Sequence, residues 1–315
     1  MRRVDRQDDW LQSWKDSYAY DREEIYGEIS NHGYACAYEN RRRQTLRLLT
    51  EVLAPGARIL DLAGAQGNFS LTLAEMGYDV TWNDLREELV DYVRLKYERG
   101  QLQFAPGNAF DLHFPFLFDA VLITEVIEHV AHPDEFLAKT AALVKPHGSI
   151  VLTTPNGAYF RNSLPRFSDC ADPRVYEAVQ FRPDAEGHIF LLHPDEIRVL
   201  ADRAGLDVDL VRLFTNPLTA GHMKTETLLC ILPRRWIDMF EAATRRLPFS
   251  LQQKLLVQMA VRFRKREPVS DDICPREQNS IRQTIYKSRN ACCAFSTSLG
   301  RKMMRPVAAL GLAAR

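Results

Sequence analysis

Between residues 57 and 156, five apolar runs alternate with segments of helical periodicity, and this alternation restricts the fold more than any other feature. ARILDLAG reads as a buried strand, and NFSLTLAEMG then places Phe69, Leu71, Leu73 and Met76 at helical spacing before stopping at Gly77. YDVTWND, LQFAPGNA, FDAVLITEV and SIVLTTPN are further strands, separated by LREELVDYVRLKYERG and by a helix that starts at Pro133. Strands separated by helices make a parallel sheet covered on both faces, so the fold class is α/β, doubly wound. His193-Pro194-Asp195 opens one more helix, LDVDLVRLFT is a sixth strand, and TETLLCILP (225–233) reads as a seventh, antiparallel to its neighbours. Residues 157–192 form a long irregular insertion of the kind that is usually functional or disordered.

Upstream, residues 9–30 and 36–53 are helical and form an N-terminal cap over residues 1–54, ahead of a core domain spanning 55–233. The remainder, 234–315, differs in charge: it holds 17 Lys/Arg against 6 Asp/Glu, while the chain as a whole has 41 of each. That contrast sets a boundary near residue 233 and gives a basic extension an anionic partner to look for. Helices are expected over 234–246 and 250–264, separated by Pro248. Their mixture of Trp236, Phe240, Phe249 and arginines is compatible with a membrane-surface element over 234–266, with a grip on RNA phosphates, or with a helical pair packed on the core. The chain's net charge of zero disfavours RNA.

At 46% hydrophobic and 26% charged residues the chain has the composition of a soluble globular protein. MRRVDRQDDW has no apolar core behind its arginines and is not expected to be a signal peptide. Six cysteines are scattered without a C-x-x-C pair, which predicts free thiols and a cytoplasmic location.

The first strand runs through Asp61 into Ala63, Gly64, Ala65 and Gly67. In a doubly wound sheet this first crossover borders the ligand site. A dinucleotide loop needs G-x-G-x-x-G, and aligned here none of its glycines is present. The pattern D-x-A-x-A-x-G fits instead, and it resembles the first motif of class I S-adenosylmethionine-dependent methyltransferases, where an acidic residue leads a G-x-G-x-G turn. Two readings of the alanines stay open: they weaken cofactor binding, or the turn uses negative φ there. The resemblance extends over roughly residues 40–215. It implies a mostly parallel seven-stranded sheet, S-adenosylmethionine as cofactor, Asp84 on the ribose hydroxyls, Asn108-Ala109 at the adenine, and Glu125 at the cofactor's edge.

The segment Glu125-Val-Ile-Glu128-His129 is similar to E-x-x-E-H in ubiquinone-biosynthesis O-methyltransferases and in small-RNA 2′-O-methyltransferases. In the second group such residues hold a divalent ion, which implies Glu125, Glu128, His129 and His188 as ligands here. Without a metal, His129 or His188 is the general base that takes the acceptor's proton. Tyr159, Phe160 and Arg161 are candidates for the acceptor pocket, and Arg161 and Arg182 for pairing with an anionic acceptor. The expected reaction is O-methylation of a small metabolite, glycan or lipid-linked intermediate. Ribose methylation of RNA and a non-catalytic module with a degenerate loop are the alternatives.

Overall fold

Short apolar strands bounded by glycine and proline turns can bury both faces only inside a sheet with helices on each side. The structure, a computed structural model, describes residues 1–180 and 187–267 and has this arrangement. Two cap helices, α1 (Gln12–Glu24) and α2 (His32–Thr50), precede β1 (Arg58–Leu62), α3 (Asn68–Glu75), β2 (Asp79–Asn83), α4 (Leu89–Lys96) and β3 (Gln101–Phe104). Then follow β4 (Phe118–Thr124), α5 (Pro133–Ala142), β5 (Val144–Pro155), α6 (Pro194–Arg203) and β6 (Leu206–Phe214). Three short helices, α7 (Glu226–Ile231), α8 (Arg234–Thr244) and α9 (Phe249–Leu255), lead to β7 (Gln258–Lys265).

The seven strands lie in the order β3-β2-β1-β4-β5-β7-β6. All pairings from β3 to β5 are parallel, and β7 runs antiparallel to both β5 and β6. The period of two along each strand divides the core. Leu60, Val121, Ile123, Ile150 and Leu152 pack with Phe136, Leu137, Ile197 and Leu200 of α5 and α6. Ile59, Ala120, Leu122 and Val151 face the other way, onto Leu48 and Leu49 of α2 and Phe69 and Leu73 of α3.

Two expectations are corrected. Residues 225–233 do not form the seventh strand; within them Glu226–Ile231 is a short helix with only Leu229 buried. The strand comes from Gln258–Lys265, overlapping the segment expected to be a helix over 250–264. Met259, Val261 and Phe263 enter one core layer and Ala260 the other, and Arg262 takes the remaining inward position. Its guanidinium is satisfied by Asp209 at 2.6 Å, Glu51 at 3.2 Å and the Leu48 carbonyl at 3.0 Å. A boundary at residue 233 therefore does not separate the sheet from an extension: the chain returns after α9 to complete the sheet. Residues 268–315, the rest of the expected basic extension, lie outside the described residues.

Candidate functional site

The first crossover is a tight turn built on left-handed backbone. Ala63 has φ 57°, Ala65 φ 46° and Gly67 φ 76°, so the alanines occupy a conformation that favours glycine. The expectation that the turn could use negative φ at these positions is corrected. What holds the strained residues is a set of hydrogen bonds to their backbone groups. Gly64 N donates to the Asn83 carbonyl at 2.8 Å, Ala65 N to Asp84 Oδ2 at 2.9 Å, and Trp82 Nε1 to the Ala65 carbonyl at 3.0 Å. Gly64 lies against the Trp82 ring so closely that a Cβ would come within 2.8 Å of Cδ1.

Asp61 sits behind the turn, buried, with one oxygen accepting from Ser70 Oγ at 2.5 Å and the other without a partner among the described residues. Burial pushes its carboxyl up to about 7, against the opposing hydrogen bonds from Ser70. Asp84 is also buried; besides Ala65 N it accepts from Arg86 Nε at 3.0 Å and Nη2 at 3.2 Å. Asp84 therefore holds the turn directly, while Asp61 is bonded to α3 through Ser70. Asn108 is engaged in its own turn, its amide donating to Asp111 and its carbonyl accepting from Phe110 N, while Ala109 is buried in the core.

A cavity of about 180 Å³ lies in front of this turn. Ala63, Gly64, Ala65 and Glu125 line it from the core, and Tyr20, Glu24, Tyr34, Tyr38 and Arg41 line it from the cap. The cap residues are the part that the sequence reading missed. Their signal is present: Tyr34, Tyr38 and Arg41 fall at i, i+4 and i+7 of α2 and so share one helix face. Glu24 accepts from Tyr34 Oη at 2.5 Å, Gln66 Nε2 at 3.0 Å and Asn68 Nδ2 at 2.9 Å, which ties α1 to the start of α3. Beneath it, Lys96 and Asp21 form a fully buried ion pair at 2.6 Å, and Asn68 and Tyr92 bond to the same pair. Burial opposes charge on Arg41, yet Glu125 and Glu24 hold its proton more tightly than usual.

Glu125 has φ 54° and pairs with Arg41 at 3.3 Å. It also borders a second, larger cleft of about 1020 Å³, lined in addition by Asn156, Tyr159, Arg161, Asn162, His188 and His222. Arg161 reaches the His222 carbonyl at 2.6 Å. Phe160 is exposed, and Arg182 lies outside the described residues.

Of the four expected metal ligands, three converge: ligand atoms of Glu128, His129 and His188 all lie within 4.8 Å of one another. Glu125 is not in this group and is turned to Arg41 instead. Glu128 is buried, accepts from Thr154 Oγ1 at 3.0 Å, and has its Oε1 without a partner among the described residues. Its carbonyl receives the Ile189 N–H at 2.7 Å, which draws His188 alongside. The two imidazoles meet edge to face with centroids 4.9 Å apart. Burial lowers both imidazole pKa values, and for His188 the neighbouring His129 adds to the effect. His132 and His147 are paired with Glu177 and Glu267, away from this cluster.

A sheet ordered 3-2-1-4-5-7-6, with a tight turn after its first strand and an acidic residue, Asp84, directly after its second, defines the Rossmann-like methyltransferase class. The chain belongs to the S-adenosylmethionine-dependent methyltransferases: the family model described as a methyltransferase domain matches residues 34–211. It is 38% identical over 109 residues to a ubiquinone biosynthesis O-methyltransferase of Xanthomonas campestris pv. campestris, covering 33% of this chain and 46% of that one. The chain thus spans about half the length of that relative. The enzyme of the same name from Shewanella halifaxensis is 28% identical over 178 residues, 55% of this chain and 73% of its own. In fold, the chain is similar to Haemonchus contortus phosphoethanolamine N-methyltransferase 2 in complex with S-adenosyl-L-methionine. That likeness has a TM-score of 0.50 at 18% identity and covers 81% of this chain and 57% of that one.

Proposed function

We propose that the protein moves the methyl group of S-adenosylmethionine to a hydroxyl oxygen of a small acceptor held in the larger cleft. The observation that carries this reading is the position of Glu125, which borders both cavities. The sulfonium end of a cofactor in the smaller cavity and an acceptor in the larger one would meet at that carboxylate. Methyl transfer from a sulfonium needs an in-line acceptor oxygen and removal of its proton. His188 lines the acceptor cleft and is held neutral by burial, so it is able to take that proton, with His129 packed edge-on against it. The names of the Xanthomonas and Shewanella relatives support oxygen as the acceptor atom and an intermediate of quinone biosynthesis as its class. A cytoplasmic location is inferred from the sequence alone, whose scattered cysteines include no C-x-x-C pair.

A finer reading adds a divalent ion at Glu128, His129 and His188. One carboxylate and two imidazoles form a donor set suited to Zn²⁺, Mn²⁺ or Fe²⁺, and the unpartnered Oε1 of Glu128 supports it. When bound, such an ion lowers the pKa of an acceptor hydroxyl. Glu125 is left to Arg41 and the cofactor.

The test is transfer of labelled methyl from S-adenosylmethionine to a panel of dihydroxybenzoates, sugars, amines and short RNAs. Transfer to a small hydroxyl acceptor is expected, lost at least a hundredfold in His188→Ala with S-adenosylhomocysteine binding retained. Transfer confined to amines or to RNA, or a His188→Ala variant of undiminished rate, would overturn the reading.

A further inference from the structure

The helix α8 carries two apolar stripes, and only one of them is used. Ile237 points inward and is buried with Leu229 and Cys36 in a small cluster, and Glu241, one turn on, is buried with Thr219 and the Asn216 N–H as its partners. On the opposite side Trp236, Met239, Phe240 and Ala243 fall at i, i+3, i+4 and i+7 and are all exposed. The three large side chains leave 43%, 49% and 43% of their surfaces in solvent. The flanking helices continue the pattern: Leu228 and Ile231 on α7 and Phe249, Leu251 and Leu255 on α9 are exposed as well. Clustered large apolar side chains of this kind are uncommon on a surface that meets only water.

The charges around the stripe that have no partner among the described residues are of one sign. Glu226, Asp238 and Glu241 are the acidic residues of segment 221–256, and all three are engaged: Glu226 with the His32 and Gly33 N–H groups, Asp238 with Arg43 and Arg234, Glu241 with Arg245. Lys224, Arg235, Arg246 and Lys254 have no ion-pair partner among the described residues. An apolar stripe containing a tryptophan, flanked by uncompensated arginines and lysines, matches a bilayer interface, where indole sits at headgroup depth and anionic lipid attracts the cations.

Residues 268–315 are the obvious competitor for this face, but their sequence holds 8 Lys/Arg against 3 Asp/Glu, so they repeat its charge and do not complement it. No described helix is long and apolar enough to cross a membrane. The surface also adjoins the acceptor cleft. Phe160 N donates to the Lys254 carbonyl at 3.0 Å, and the Asn156 amide donates to the Gln253 and Leu256 carbonyls at 2.7 Å each, so the end of α9 is tied to the loop that walls the cleft.

We propose that the outer face of α7, α8 and α9, centred on Trp236, Met239 and Phe240, docks the protein on the surface of an anionic phospholipid bilayer. The experiment is co-sedimentation of the full chain with vesicles of phosphatidylcholine alone or with about one-third phosphatidylglycerol, read together with tryptophan fluorescence. The expected result is partition onto the anionic vesicles, weakened at least tenfold by 0.5 M salt and at least tenfold by W236S/M239S/F240S, and a blue shift that W236F removes. R235E/R246E, which leaves the apolar stripe intact, should weaken partition without changing the melting temperature. Four results would overturn the proposal. One is no partition onto anionic vesicles. Another is partition unchanged by either set of substitutions. A third is a Trp236 already shielded from aqueous quencher in the free chain, which would assign the face to the protein's own tail. The last is a dimer that W236S/M239S/F240S dissolves, which would make the face a contact between copies.

Discussion

Glu125 and Arg41 face each other at 3.3 Å, joining the end of β4 to the cap helix α2 across the smaller cavity. Both side chains are mostly buried, and Glu125 holds left-handed backbone to reach the pair. Removing one partner of such a pair leaves the other charge uncompensated. Arg41→Met should cost about 1–3 kcal/mol in a denaturant melt, since partial exposure reduces the full penalty. It should weaken S-adenosylhomocysteine at least tenfold in calorimetry, and Arg41→Lys should restore part of both.

The left-handed alanines give a prediction of opposite sign. An L-residue in that region costs about 1–2 kcal/mol, and glycine removes the cost while adding backbone entropy to the unfolded chain. Ala63→Gly and Ala65→Gly should each raise stability by up to about 1 kcal/mol, read as a higher urea midpoint at unchanged slope. A fall in both midpoints would show that the turn's conformation differs from the one described.

Most of the sheet was legible because its signals are local. The apolar runs ending at Leu62, Asn83 and Thr124, and the glycine stop at Gly77, need nothing from distant residues to be read. β7 was missed because Arg262 and Arg264 gave residues 250–264 the charge of a basic helix, although their alternation with Val261 and Phe263 has the period of a strand. Arg262 is buried only because Asp209, Glu51 and the Leu48 carbonyl, far away in sequence, receive it. Within the site, the motif residues Ala63, Gly64, Ala65 and Glu125 were legible as cavity lining. Glu24 and Arg41 were not, because whether a polar helix face points inward depends on what the helix packs against. The sign of φ at Ala63 and Ala65 was likewise hidden, since it is set by bonds from Asn83, Asp84 and Trp82.

Asp61 gives the pH dependence. Its carboxyl sits at about 7 in the folded protein against an ordinary 3.8, so the folded state holds the proton more tightly than the unfolded chain. Stability attributable to this group is greatest at low pH. It declines as pH rises from about 4 to about 7 and is flat above that. Asp61→Asn should flatten the curve, gaining about 2–3 kcal/mol relative to the parent between pH 5 and pH 8. Melts across that range in parallel for both proteins are the check; parallel curves would place the Asp61 carboxyl at its ordinary value.

Gly33, in the first turn of α2, reports on how the cap is seated. A Cβ there would come within 2.6 Å of the Ala220 carbonyl oxygen, a backbone atom that cannot swing aside. Gly33→Ala should therefore push α2 off the segment before α7, loosening the two N–H bonds to Glu226. The expected outcome is a loss of about 1–3 kcal/mol and faster hydrogen exchange in α2 than in β1 or β4.

The central claim is that the turn after β1, closed over by Glu24 and Arg41 of the cap, is a seat for an adenosyl sulfonium. Calorimetric titration of S-adenosylhomocysteine into the folded chain tests it most directly. The account predicts saturable heat with one site per chain, weakened at least tenfold in Asp84→Ala, whose carboxylate fixes the Ala65 N–H. Absence of heat from material with an intact thermal transition, or equal affinity in Asp84→Ala, would contradict it.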